Sequence, residues 1–149
     1  MSIATFYLIP PDSPQTSEIG HIDYVIFLAR HFAQQGAKVY INAQDKTQAE
    51  TVDEYFWKQQ TENYQAHNLV GEGPNFGTPI EIGYPNSKFN RNRQLVINLS
   101  NDATTFAQSF TQVVDFVPCE EKAKQHARER YKIYRQAGFE MQTININNE

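Results

Sequence analysis

Lys122, Lys124, Arg128, Arg130, Lys132 and Arg135 crowd one short stretch near the C-terminus, opposed within it by Glu129 alone. That window carries +5 on a chain whose net charge is −4, so the remainder sums to −9. At ~100° per residue, Lys124, Arg128, Tyr131, Lys132 and Arg135 fall within an arc of roughly 100° on a helix, with Ala123, Ala127 and Tyr134 beside it to dock the helix. Guanidinium groups bind carboxylates as forks, and a tyrosine ring can wall an apolar contact. These residue types suit a short acidic ligand with one apolar anchor, whereas the −9 elsewhere repels a long polyanion such as nucleic acid. The same residues also allow a plainer reading, a solvated basic face paired with neighbouring acids.

Other residues that could do chemistry lack the necessary spacing. His21, His31, His67 and His126 are scattered, and Cys119 is the lone cysteine, so no metal site is expected. One cysteine also excludes an internal disulfide and suits a reducing cytoplasm; beside a helix start it reads as a small structural residue. No serine lies in a GxSxG elbow and no carboxylate pair has a catalytic setting, so no catalytic residue and no cofactor are expected. Gly71, Gly73 and Gly77 in GEGPNFG are one residue too long for GxGxxG and include Pro74. They neither open a helix nor contain the Lys-Ser/Thr of a P-loop, so a structural turn is favoured. A nucleotide-binding α/β enzyme using the Gly71–Gly77 loop is the alternative function.

The 149 residues suit a single α/β domain spanning 1–149, with 40% hydrophobic and 13% aromatic content. The N-terminus lacks a basic region before its apolar run, so no signal peptide is expected, and no apolar run reaches membrane-span length. Strands are expected at 3–9, 38–42, 80–83, 95–99 and 113–117, with a further one starting near Phe139. Helices are expected at 16–35 and 45–58, and after Pro118, where Glu120 and Glu121 complement the dipole, as far as Gly138. Asn68 to Pro79 reads as an ordered loop and Pro85 to Arg93 as a mobile one. Alternating strands and helices predict a three-layer α/β/α architecture with a mostly parallel sheet, similar to nucleotide-binding folds but without a working nucleotide site.

ATFYLI at 4–9, HNLVGEGPNFGTPIEI at 67–82, VVDFVP at 113–118 and ARERYKIYRQAGF at 127–139 resemble the chi subunit family of bacterial DNA polymerase III. The likeness runs nearly end to end and is most specific in the C-terminal block. It implies a non-catalytic accessory subunit of a polymerase holoenzyme, cytoplasmic and replisome-associated, which links two protein partners during DNA replication. One is the psi subunit, which tethers chi to the clamp loader. The other is the acidic C-terminal tail of single-stranded DNA-binding protein, which ends in aspartates, a short apolar segment and a terminal phenylalanine. The resemblance assigns tail binding to Lys124, Arg128, Tyr131, Lys132 and Arg135, and the psi interface to Trp57, Tyr64 and Leu69. Trp57 also fits the apolar side of its helix, as a core residue. Neither direct specific binding to nucleic acid nor contact with a membrane is expected.

Overall fold

A computed structural model describes residues 2–58, 66–70, 78–84, 94–101 and 110–146. The chain forms β1 (Ile3–Leu8), a 3-10 turn (Pro14–Thr16), α1 (Glu18–Gln34), β2 (Val39–Asn42) and α2 (Lys46–Lys58). There follow β3 (His67–Leu69), β4 (Ile80–Gly83), β5 (Leu95–Asn98), β6 (Gln112–Val117), α3 (Glu121–Gln136) and β7 (Glu140–Asn145). The seven strands make one sheet in the order β3-β4-β2-β5-β6-β1-β7. Every described pairing is parallel, with Phe6 opposite Asp115 on one side and Thr143 on the other.

Strand order decides which face each helix covers. The connections through α1 and α2 run toward the β3 edge, whereas α3 carries the chain from β6 past β1 to β7 at the opposite edge. Right-handed crossovers running in opposite directions put their helices on opposite faces. The alternation along β1 agrees: Tyr7 packs with α1 and α2 residues, and Ala4 and Phe6 pack with Ala127 and Tyr134 of α3. β2, β4 and β5 are buried along their whole length, which explains why they read as apolar runs with little alternation.

Local chemistry sets the ends. The Ser17 side chain accepts from the Gly20 amide at 3.0 Å to cap α1, and Gly36 leaves that helix with φ +95°. Asp45 Oδ1 accepts from the Gln48 amide at 2.8 Å at the start of α2. The expected elements form within a residue or two of their predicted limits, with one correction. His67 to Leu69, read mostly as loop, is the edge strand β3, paired to β4 from His67↔Ile80 to Leu69↔Ile82. The Gly71–Gly77 turn and the 85–93 loop lie outside the described residues.

Candidate protein-interaction site

α3 opens on a side-chain cap. Both carboxylate oxygens of Glu120 are used, Oε2 accepting from the Ala123 amide at 2.9 Å and Oε1 from the Lys122 amide at 3.1 Å. These two backbone donors hold the carboxyl below its usual pKa. Gly138, at φ +96°, closes the helix. Between the caps, Ala127, Arg130 and Tyr134 turn inward at spacings of three and four, and the positions between them are half-buried or exposed.

That rotation divides the cations. Arg128, Lys132 and Arg135 are exposed, while Lys124 and Tyr131 are half-buried. Lys124 lies 3.8 Å from Glu121, and Arg128 Nη1 donates to Gln125 Oε1 at 3.4 Å. Among the described residues no acid pairs with Arg128, Lys132 or Arg135. Of the five predicted tail-binding residues, then, the self-paired alternative holds among the described residues for Lys124 alone. Tyr131 rests on Phe6, ring centroids 5.4 Å apart, and packs with half-buried Val117 and Met141 against the same cluster. Apolar ground thus adjoins the cationic ridge. The structure brings all five predicted tail-binding residues onto one side of α3.

Arg130 departs from the +5 reading and is a correction to it. It is 4% exposed and forks onto Asp115, which is 1% exposed, with Nε to Oδ2 at 2.8 Å and Nη2 to Oδ1 at 3.0 Å. Burial alone would weaken its charge, but the adjacent carboxylate more than offsets this and raises its pKa above the ordinary value. Five outward cations against Glu129 leave +4 in that window. Two sequence signals pointed to this arrangement. Arg130 shares the helical face of Ala127 and Tyr134, and Asp115 interrupts an otherwise apolar buried strand, where a carboxylate needs a partner.

The same acid anchors a closed polar network at the carboxyl ends of the central strands. Tyr134 donates to Asp115 Oδ2 at 2.8 Å, Asn98 donates to it at 3.2 Å, and Asn42 donates to Asn98 Oδ1 at 3.0 Å. Parallel α/β sheets commonly hold ligands at this edge. Among the described residues there, Asn42, Asn98, Asp115 and Tyr134 bind one another. The first strand-to-helix turn offers no phosphate cradle either, because the Pro14 carbonyl packs against Cα of Gly20 inside the opening turn of α1.

The second predicted surface lies on the other face. Trp57 is 58% exposed, so its core reading is overturned; its neighbour Phe56 fills that place with no exposure. The indole packs at 4.9 Å on His67 of β3, whose Nε2 lies 3.2 Å from Asp53, and half-buried Leu69 follows on the same strand. Tyr64 lies outside the described residues. Ile19, which belongs to the apolar periodicity of α1 in the sequence, and Phe27 are instead each 57% exposed on that helix. A hollow of about 260 Å³ on the α1 face is lined by Ile3, Thr5, Tyr7, Phe32 and Ile144. Among the described residues there is no metal-ligating cluster, and no helix is long and apolar enough to cross a membrane.

Comparison with known proteins agrees along the whole chain. Residues 1–142 match the family described as DNA polymerase III chi subunit, HolC. The chain is 41% identical over 143 residues to DNA polymerase III subunit chi of Escherichia coli (strain K12), covering 96% of this chain and 97% of that protein. It is 36% identical to the chi subunit of Haemophilus influenzae, covering 96% of each, and 28% identical to that of Pseudomonas aeruginosa, covering 95% of each. An accessory subunit of a polymerase holoenzyme is consistent with a chain that supplies binding surfaces rather than catalysis. With the α/β fold and near end-to-end matches in agreement, this chain belongs to the DNA polymerase III chi subunit family.

Proposed function

We propose that this protein is a replisome adaptor that holds the psi subunit of the clamp loader on one face and the acidic C-terminal tail of single-stranded DNA-binding protein on the other. The observation that carries the reading is the ridge of Arg128, Lys132 and Arg135, exposed and paired with no acid among the described residues, beside half-buried Tyr131. Charge-assisted contacts contribute ~1.5–3 kcal/mol each, and burial of one phenyl ring adds ~1.5–3 kcal/mol. Three or four such terms, less the cost of ordering a flexible tail, reach the ~8 kcal/mol of a micromolar complex. Several tails on one oligomer would strengthen attachment by avidity while each contact stays exchangeable. On the opposite face, Trp57 and Leu69 supply an apolar surface for psi around the β3 edge.

Titration calorimetry with a synthetic tail peptide tests the first contact. Arg128→Ala is expected to weaken binding at least about tenfold, the loss of one charge-assisted contact, with psi association intact. Unchanged affinity in a folded Arg128→Ala protein would remove the ridge from the binding site.

A further inference from the structure

We infer that Arg130 is the positioning residue of the basic ridge: its buried pair with Asp115 sets the height and rotation of α3 and so the reach of Arg128, Lys132 and Arg135. The inference rests on the reading of that ridge as a peptide dock. Two positions apart on a helix is a turn of ~200°, so Arg128 faces the ligand's side while Arg130 faces the sheet.

The guanidinium is held at separated points. It donates to both Asp115 oxygens, to the Phe116 carbonyl at 3.3 Å and to the Asn101 carbonyl at 3.1 Å. Those acceptors lie on β6 and beyond the end of β5, so the grip resists both sliding and rolling of the helix. One turn along, the Tyr134 hydroxyl reaches the same carboxylate. Asp115 is tied in turn to Asn98 of β5 and through it to Asn42 of β2. The pin therefore runs across three strands of the sheet.

Apolar docking of α3 rests on Ala127, on Tyr134, whose ring lies 5.7 Å from Phe6, and on half-buried Tyr131. Such non-directional packing fixes a helix's rotation less sharply than a forked pair does. Buried ion pairs seldom stabilise a fold better than apolar residues of similar size, and they are best attested where they select one arrangement. Here the selected arrangement has a consequence at the ligand's side. Tyr131 follows Arg130 directly and lies against Phe6, so a displaced helix moves the ring as well as the flanking cations.

The experiment separates positioning from contact. Arg130→Lys keeps the charge but loses the fork, and Asp115→Asn/Arg130→Gln replaces the pair with neutral hydrogen-bonding groups. Each is checked by circular dichroism and thermal melting, then titrated with the tail peptide, alone and combined with Arg128→Ala. Arg130→Lys is expected to weaken the peptide about fivefold at unchanged net charge, and by clearly less in the Arg128→Ala background, because residues acting through one another are not additive. Wild-type affinity in the folded Arg130→Lys protein, or losses that multiply independently of Arg128, overturns the assignment. Should Arg130→Lys fail to fold, the neutral double variant is judged by the same two criteria. Full affinity in Arg128→Ala overturns the dock and the positioning role together, whereas weakened Arg128→Ala beside unaffected Arg130 variants overturns the positioning role only.

Discussion

Arg128 reaches solvent beside Gln125, while Arg130, two positions on, is 4% exposed and forked onto Asp115. Identical side chains thus meet different dielectrics. An exposed cation is worth ~1 kcal/mol or less to the fold, so Arg128→Ala should leave the melting temperature nearly unchanged. Removing one partner of a buried pair strands the other charge at a cost of ~3–5 kcal/mol, so Asp115→Ala should show a comparably large loss in denaturant unfolding. His21 supplies a pH dependence. Its Nε2 is enclosed and has no hydrogen-bond partner among the described residues, its ring stands edge-on to Phe116 at 4.6 Å, and burial pulls its pKa from 6.5 down to about 4 against an opposing pull from Asp115. Between these values the unfolded chain takes the proton more readily than the folded one. Stability is therefore full above about 6.5, falls as the pH drops toward about 4, and loses at most about 3 kcal/mol to this group. His21→Gln should flatten that part of the curve, measured by urea unfolding across the range.

At the scale of elements, helix ends were the most legible features and short strands the least. Although α1, expected from Thr16, begins at Glu18 after the Ser17 cap, Gly36 and Gly138 suit terminators, so the ends of α1 and α3 could be read from sequence. β3 could not. Three residues beside a glycine-rich turn carry no usable periodicity, and His67 to Leu69 becomes a strand because β4 offers it a ladder. Close packing adds a constraint at Gly20. A methyl group there would overlap the Pro14 carbonyl, which is backbone and must move. Gly20→Ala should therefore destabilise by roughly 1–3 kcal/mol despite alanine's better helix propensity, and a thermal melt showing equal or greater stability would contradict the tight turn.

Across the whole molecule, the sheet separates the two proposed contacts. The exposed cations of the proposed tail site, Arg128, Lys132 and Arg135, ride on α3, and Trp57, Ile19 and Phe27, all at least 57% exposed, ride on α1 and α2. One copy should accept both partners at once, so Trp57→Ala is expected to abolish psi co-purification while leaving tail affinity within error; the reverse pattern would exchange the surfaces. Added salt should weaken the tail contact far more than the psi contact, because screening acts on exposed charges and little on apolar burial. Sequence alone determined the α/β class and the cationic stripe, because apolar periodicity and the turn of a helix are local properties of the chain. Only the tertiary structure decided that Arg130 faces inward while Trp57 faces solvent, and that the Asn42–Asn98–Asp115 network occupies the sheet's carboxyl edge. Each depends on which strands become neighbours, and strand order arises from contacts between residues far apart in the chain.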